Sequence, residues 1–254
     1  LLIVERQQRI LEILQQRGSA QLDDLARQLE VSSSTVRRDL EALEQQGVVE
    51  RTRAGAIFKG ETNRTSTEPS IELQERMQEH VAQKMAIGQY AAGLVEPNMT
   101  VLLDGGSTVV YAARQIEARP LQVVTSSLSI ANYFADDDDV ELALIGGTLY
   151  PRSGVLVGPM ATGCLAELHA NLLLFSLAGI DGDDCYNQNL AMAQVEQVML
   201  QQAATSVLLM DSSKFGRRSL TRVCGLGEVD SIVTDQGIAG DWQQRIGPKL
   251  VVVD

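Results

Sequence analysis

From Thr100 onward the chain keeps one rhythm, in which short apolar runs are separated by amphipathic stretches of helical period. The runs are Thr100 to Leu103, Gln122 to Val124, Glu141 to Ile145, Leu172 to Ala178, Ser206 to Met210, Ser231 to Val233 and Leu250 to Val253. Between several of them lie Val109 to Ile116, Leu128 to Phe134, Pro159 to Leu168 and Ala191 to Ala204. A strand with little polar alternation must be covered on both faces, and helices in the connections supply that cover. The rhythm therefore predicts a mainly parallel α/β sheet.

Polar residues end five of the runs: Asp104-Gly105-Gly106-Ser107-Thr108, Thr125-Ser126-Ser127, Gly146-Gly147-Thr148, Gly179-Ile180-Asp181-Gly182 and Asp211-Ser212-Ser213-Lys214-Phe215-Gly216. Turn chemistry alone favours such residues after a strand. Five ends converging at the carboxyl edge of one sheet, with a lysine among them, instead point to a pocket for a polar ligand. The expected lining is Asp104, Gly105, Gly106, Ser107, Thr108, Thr125, Ser126, Gly147, Asp181 and Lys214. Gly106-Ser107-Thr108 would present N–H groups and hydroxyls to an anion at a helix start, Lys214 would supply a full charge, and Asp104 and Asp181 would accept from sugar hydroxyls. Gly225-Leu226-Gly227 lacks the third glycine of a dinucleotide fingerprint, and Asp136 to Asp139 reads as a solvated loop. His169, Cys164, Met192, Val195 and Met199 read as packing residues.

The first 60 residues have another period. Ile10, Leu11, Ile13 and Leu14 mark one helix, Leu22, Leu25, Ala26 and Leu29 a second, and Val36, Leu40 and Leu43 a third that starts at the hydroxyls Ser32-Ser33-Ser34 and ends near Gly47. A tight turn between the second and third makes a helix-turn-helix, with Ser33, Ser34, Thr35, Arg37 and Arg38 facing outward where a recognition helix meets bases and phosphates. Val48 to Arg53 and Ala56 to Lys59, broken at Ala54-Gly55, read as a two-stranded wing carrying Arg51, Arg53 and Lys59. The net charge of −12 argues against nucleic-acid binding only as an average. Residues 1 to 60 hold nine basic and nine acidic groups, so the whole excess of acid lies behind them.

Gly60 to Ser70 is polar and contains Pro69, so the expected organisation is a DNA-binding domain over 1–60, a linker over 61–70 and an α/β domain over 71–254 that binds an effector and carries the subunit contacts. Ile71 to Val95 reads as one long helix stopped by Pro97. Three cysteines without a C-x-x-C pair and two histidines leave no metal set, and no cofactor is expected. No apolar stretch approaches a membrane span and no charged-then-apolar leader opens the chain, so a cytoplasmic, membrane-free protein is expected.

Ser32-x-x-Thr35-Val36-Arg37-Arg38-Asp39-Leu40, with Leu43, Gly47 and Arg51-Thr52, resembles the signature of the DeoR family of bacterial transcription regulators. Asp104-Gly105-Gly106-Ser107-Thr108, Gly179-Ile180-Asp181, Asp211-Ser212-Ser213-Lys214-Phe215-Gly216 and Thr234-Asp235 extend the likeness over nearly the whole chain. The resemblance implies a sensor domain similar in fold to ribose-5-phosphate isomerase, a phosphorylated sugar as effector, a double-stranded DNA operator as partner, and repression of a carbohydrate-utilisation operon. Two stretches depart from the family pattern: Arg53-Ala54-Gly55-Ala56 replaces His-Gly-Gly-Ala, and Cys185 to Met192 replaces a Gly-Leu-Thr-like step followed by Asn and Glu. One recognition helix per chain requires a homo-oligomer, a dimer or higher, to read two half-sites. The rival readings are a sugar-phosphate isomerase with an extra front domain, in which Asp181 and Lys214 would do proton chemistry, and an oligomerisation scaffold with an empty pocket.

Overall fold

In the computed structural model, which describes residues 3–17, 19–29, 31–45, 49–52, 55–58 and 71–254, the first segment forms α1 (Ile3–Arg17), β1 (Ser19–Gln21), α2 (Leu22–Gln28), α3 (Ser33–Gln45), β2 (Val49–Arg51) and β3 (Gly55–Phe58). The apolar positions that set the helical period meet in one core: Ile10 and Leu14 from α1, Leu25 and Ala26 from α2, and Val36, Leu40 and Leu43 from α3 are all buried. Ser32 caps α3, its Oγ accepting from Thr35 N at 3.3 Å. The wing has a third strand that its sequence did not announce, because β1 pairs antiparallel with β3 in the order β1-β3-β2. Gly55, expected in the break between strands, opens β3. A Cβ there would lie 2.0 Å from Ala20 O, so the close approach of β1 requires glycine.

The chain divides into two units, Leu1–Ser66 and Thr67–Asp254. The second opens with α4 (Ile71–Gln78) and α5 (Val81–Ala92) where one continuous helix was expected. His80 between them has φ 51°, a left-handed conformation that no α-helix can continue through. There follow β4 (Thr100–Leu103), α6 (Ser107–Ala113), β5 (Leu121–Thr125), α7 (Leu128–Phe134), β6 (Val140–Leu144), the hairpin β7 (Thr148–Tyr150) and β8 (Val155–Val157), α8 (Pro159–Ala166) and β9 (Ala170–Phe175). The chain continues through β10 (Gly179–Asp181), β11 (Asp184–Asn187), α9 (Leu190–Gln202), β12 (Ala203–Leu209), β13 (Thr221–Gly225), β14 (Ser231–Asp235), α10 (Gly240–Ile246) and β15 (Leu250–Val253).

All seven expected apolar runs become strands of one parallel sheet, in the order β15-β14-β12-β9-β4-β5-β6. Alternate residues feed two cores. Leu102, Leu173, Phe175 and Leu208 pack with Leu165 of α8 and Met199 of α9, while Val101, Leu103, Leu172, Leu174 and Leu209 pack with Ile87 of α5, Val109 of α6 and Ile130 of α7. From β4 the chain steps outward to β5 and β6, then returns to lay β9 on the other side of β4 and steps outward again to β12, β14 and β15. The reversal between β4 and β9 opens a crevice at their carboxyl ends, because the two following connections leave in opposite directions. A separate antiparallel sheet, β10-β11-β13, was not foreseen; its short strands mix polar and apolar residues. Among the described residues no helix is long and apolar enough to cross a membrane.

Candidate functional site

A cavity of about 340 Å³ occupies that crevice. Asp104 follows β4, Ser176, Leu177 and Ala178 follow β9, Asp211, Ser213 and Lys214 follow β12, and Gly106 and Ser107 open α6. The switch point is tied across its width, Asp104 Oδ2 accepting from Ser176 N at 3.3 Å. Gly106 permits this closeness, since a Cβ would lie 2.7 Å from the Ser176 Cβ. Asp211 turns the chain after β12 by accepting from Ser213 N and Oγ at 3.2 and 2.5 Å, and Asp235 clamps the same turn through Ser212 N and Oγ at 2.7 and 2.8 Å. This turn delivers Lys214, whose Nζ donates to Ser176 Oγ at 3.1 Å and Leu177 O at 3.0 Å.

The Lys214 ammonium thus rests on neutral oxygens and keeps its charge for an anion. Burial lowers its pKa to about 8, with Asp211 opposing and Lys84 and Arg76 adding to the fall. Lys84 is 2% exposed, donates to Arg76 O, and is likewise lowered by burial. Burial raises the Asp104 carboxyl. Asp211 lies below its ordinary range; burial works against this, and the Ser213 hydroxyl and the neighbouring Lys214, His80 and Lys84 outweigh it. Arg76, His80, Lys84, Lys214 and Arg217 line the cavity against Glu79, Asp104 and Asp211. Two lysines whose charged forms are disfavoured chiefly by burial are relieved by an incoming anion, which is what such an arrangement can bind.

Of the ten residues expected here, Asp104, Gly106, Ser107 and Lys214 line the cavity, with Gly105 between two of them. The others do not line it. Thr108 points into the protein, fully buried, its Oγ1 without a partner. Thr125 Oγ1 donates to Leu103 O at 2.6 Å and accepts from Ser127 N at 3.0 Å, and Ser126 O takes Leu156 N at 2.8 Å, so both stitch strand ends together. Gly147 packs against Val157 beside the β7–β8 hairpin. Asp181 ends β10 opposite Asp184, because Gly179 to Asp181 begins an antiparallel strand and does not terminate a parallel one. Sequence reasoning missed Arg76, His80, Lys84, Ser176, Asn187, Gln188 and Arg217. One signal was available: Lys84 is the single charged residue in α5, VAQKMAIGQYAA.

In the first unit Ser34, Arg37 and Arg38 are exposed on α3, and Ser33 and Thr35 are partly so. The hydroxyls are locally engaged: Ser32 Oγ lies 2.8 Å from both Ser34 Oγ and Thr35 Oγ1, and Ser33 Oγ donates to Asp23 at 3.0 Å. Arg51, expected on the wing as a DNA contact, turns toward α3 and pairs with Glu44 at 3.0 Å and Glu41 at 3.4 Å. Arg53 and Lys59 lie outside the described residues, as does the expected linker 61–70. Asp39, quoted only as part of a signature, has a structural role: nearly buried, it holds Arg6 of α1 by two hydrogen bonds, at 2.5 and 3.1 Å.

Comparison with known proteins gives two family matches: the DeoR-like helix-turn-helix domain over residues 6–62 and the DeoR C-terminal sensor domain over residues 79–236. The chain is 34% identical to the L-fucose operon activator of Escherichia coli K12 over 91% of this chain and 94% of that protein. It is 32% identical to the putative aga operon transcriptional repressor of Escherichia coli O157:H7 over 98% of this chain and 93% of that one. Among solved structures, ribose 5-phosphate isomerase A of Methanocaldococcus jannaschii aligns at 16% identity over 52% of this chain and 53% of that chain, with a TM-score of 0.37, too low to bear on fold or function.

Proposed function

The chain belongs to the DeoR family of transcription regulators, and from that premise we propose that it represses a carbohydrate-utilisation operon in response to a phosphorylated sugar held in the switch-point cavity. As a family member it is a DNA-binding regulator; the operon, the sense of control and the effector are our reading. The observation that carries it is the charge arrangement at the crevice: Lys214 and Lys84, both lowered by burial, beside the Ser107 start of α6, with Asp104 within the same lining. Cations and helix-start N–H groups suit a phosphate, and a carboxylate suits sugar hydroxyls. The relatives are named as an L-fucose operon activator and a putative aga operon transcriptional repressor, which supports a sugar-linked effector in either sense of control.

We assign DNA contact to Ser33, Ser34, Thr35, Arg37 and Arg38 on α3, with Arg53 and Lys59 of the wing as phosphate contacts. Two copies are needed for two half-sites, so a homo-oligomer joined through 71–254 completes the reading. The test is operator binding to the upstream region of the chain's own gene, titrated with inorganic phosphate, ribose 5-phosphate, glycerol 3-phosphate and glucose 6-phosphate. Release or tightening by one sugar phosphate supports the reading; indifference to all of them counts against it, and turnover of any would favour the isomerase alternative.

A further inference from the structure

Glu196 on α9 is 1% exposed and is hydrogen-bonded to Asn187, a residue of the cavity lining. Its Oε1 accepts from Asn187 Nδ2, while Oε2 meets no partner. The titratable groups facing it are Asp104 from the end of β4, Cys224 from β13 and Lys214 from the turn after β12. Burial first and Asp104 second push its carboxyl well above the ordinary range. An ionised carboxylate in such a place would ask for several donors, and it has one.

Asn187 lines the cavity, and both ends of its amide are determined. Its Oδ1 accepts from Gln188 N at 2.6 Å, and a backbone N–H can only donate. The amino end therefore faces Glu196. One of its two hydrogens goes to Oε1, and the other remains on a side chain that is 4% exposed and borders the cavity.

Building on the reading of the cavity as an effector site, we propose that Glu196 is a neutral carboxylic acid that fixes the Asn187 amide so that its second hydrogen reads an acceptor oxygen of the bound anion. Asn187 is then a specificity residue, and Glu196 a positioning residue acting through it. Neutrality is essential to the arrangement: a second carboxylate beside Asp104 would oppose the anion that Lys214 attracts.

The test uses the full chain with inorganic phosphate, by calorimetry at neutral pH, and a carbon-13 titration of the glutamate carboxyls in the ligand-free chain. Glu196→Gln keeps an acceptor for Asn187 and carries no charge, so phosphate affinity should be unchanged. A severalfold gain in affinity would mean that a charge had been removed and would overturn the proposal. Asn187→Ala should weaken phosphate roughly fivefold, as loss of one hydrogen bond does; undiminished affinity would overturn it. In the ligand-free chain the resonance missing from Glu196→Gln should titrate well above the other glutamates, and titration in the ordinary range near about 4.3 would overturn the proposal even where phosphate binds normally. Failure of the wild-type chain to bind phosphate would overturn both the cavity reading and the role of Asn187. Thermal unfolding of each variant checks that the domain remains folded.

Discussion

The two units place their charges in opposite ways. In the first, Arg37 and Arg38, the arginines proposed to contact DNA, stand exposed on α3, and the charged group turned inward, Asp39, is neutralised at once by Arg6. In the second, Lys84, Lys214, Asp104 and Asp211 are gathered inside a cavity where burial pushes every one of them toward the neutral form, and only Asp211 is held charged by its neighbours. Exposed charges act through a field that salt screens, so they suit a large polyanion met in solution. Enclosed charges act at short range and select one small ligand, at the cost of desolvation that the ligand itself must offset.

The largest expected effect is on the exposed side. Replacing Arg37 and Arg38 by Ala should weaken operator binding by about 2–6 kcal/mol, since each base or phosphate contact is worth about 1–3 kcal/mol, and should flatten the salt dependence; an unaltered salt slope would break the contrast. Arg51→Ala is the control, because its charge is already shared with Glu44 and Glu41 at the surface, and it should cost under about 1 kcal/mol. Next comes Asp39→Ala, which removes the two charged hydrogen bonds tying α3 to Arg6 of α1 and should destabilise the first unit by about 2–3 kcal/mol. Calorimetry should show an early transition for that unit while the second unit melts unchanged.

On the enclosed side, Lys214→Ala should cost about 1.5–3 kcal/mol in sugar-phosphate affinity, the worth of a charged hydrogen bond, with operator affinity in the absence of effector intact. The smallest effect is that of pH. Lys214 is charged below about 8, so effector affinity should hold below that pH and decline as pH rises through it. Stability of the ligand-free domain should move the other way, rising from about pH 8 toward the ordinary lysine range, because a base lowered by burial costs the folded state only while it is charged. Affinity that stayed flat to pH 9 would show that Lys214 does not hold the anion.

The three helices, the seven parallel strands and the capping role of Ser32 were legible because each depends on neighbours within a few residues. Asp104, Gly106, Ser107 and Lys214 were legible for a related reason, as each sits at the end of a run that can be recognised locally. Asp181 was misplaced by the same logic, since Gly179 to Asp181 follows a strand in sequence and yet begins another in space. Arg76 and His80 were hidden by reading 71–95 as one helix, when the left-handed turn at His80 brings the Lys84 ammonium back onto Arg76 O.

By itself, then, the sequence determined the two-part organisation, the helix-turn-helix and the parallel sheet, because period, caps and turn chemistry are local properties of the chain. The tertiary structure alone decided which polar residues share a cavity. Strand order places the ends of β4 and β9 side by side although their sequences lie some 70 residues apart, with Ser176 reaching Asp104 across that gap. Only there do Asn187, Glu196 and Lys84 acquire their meaning, because desolvation and charge coupling depend on distance in space and not on position along the chain.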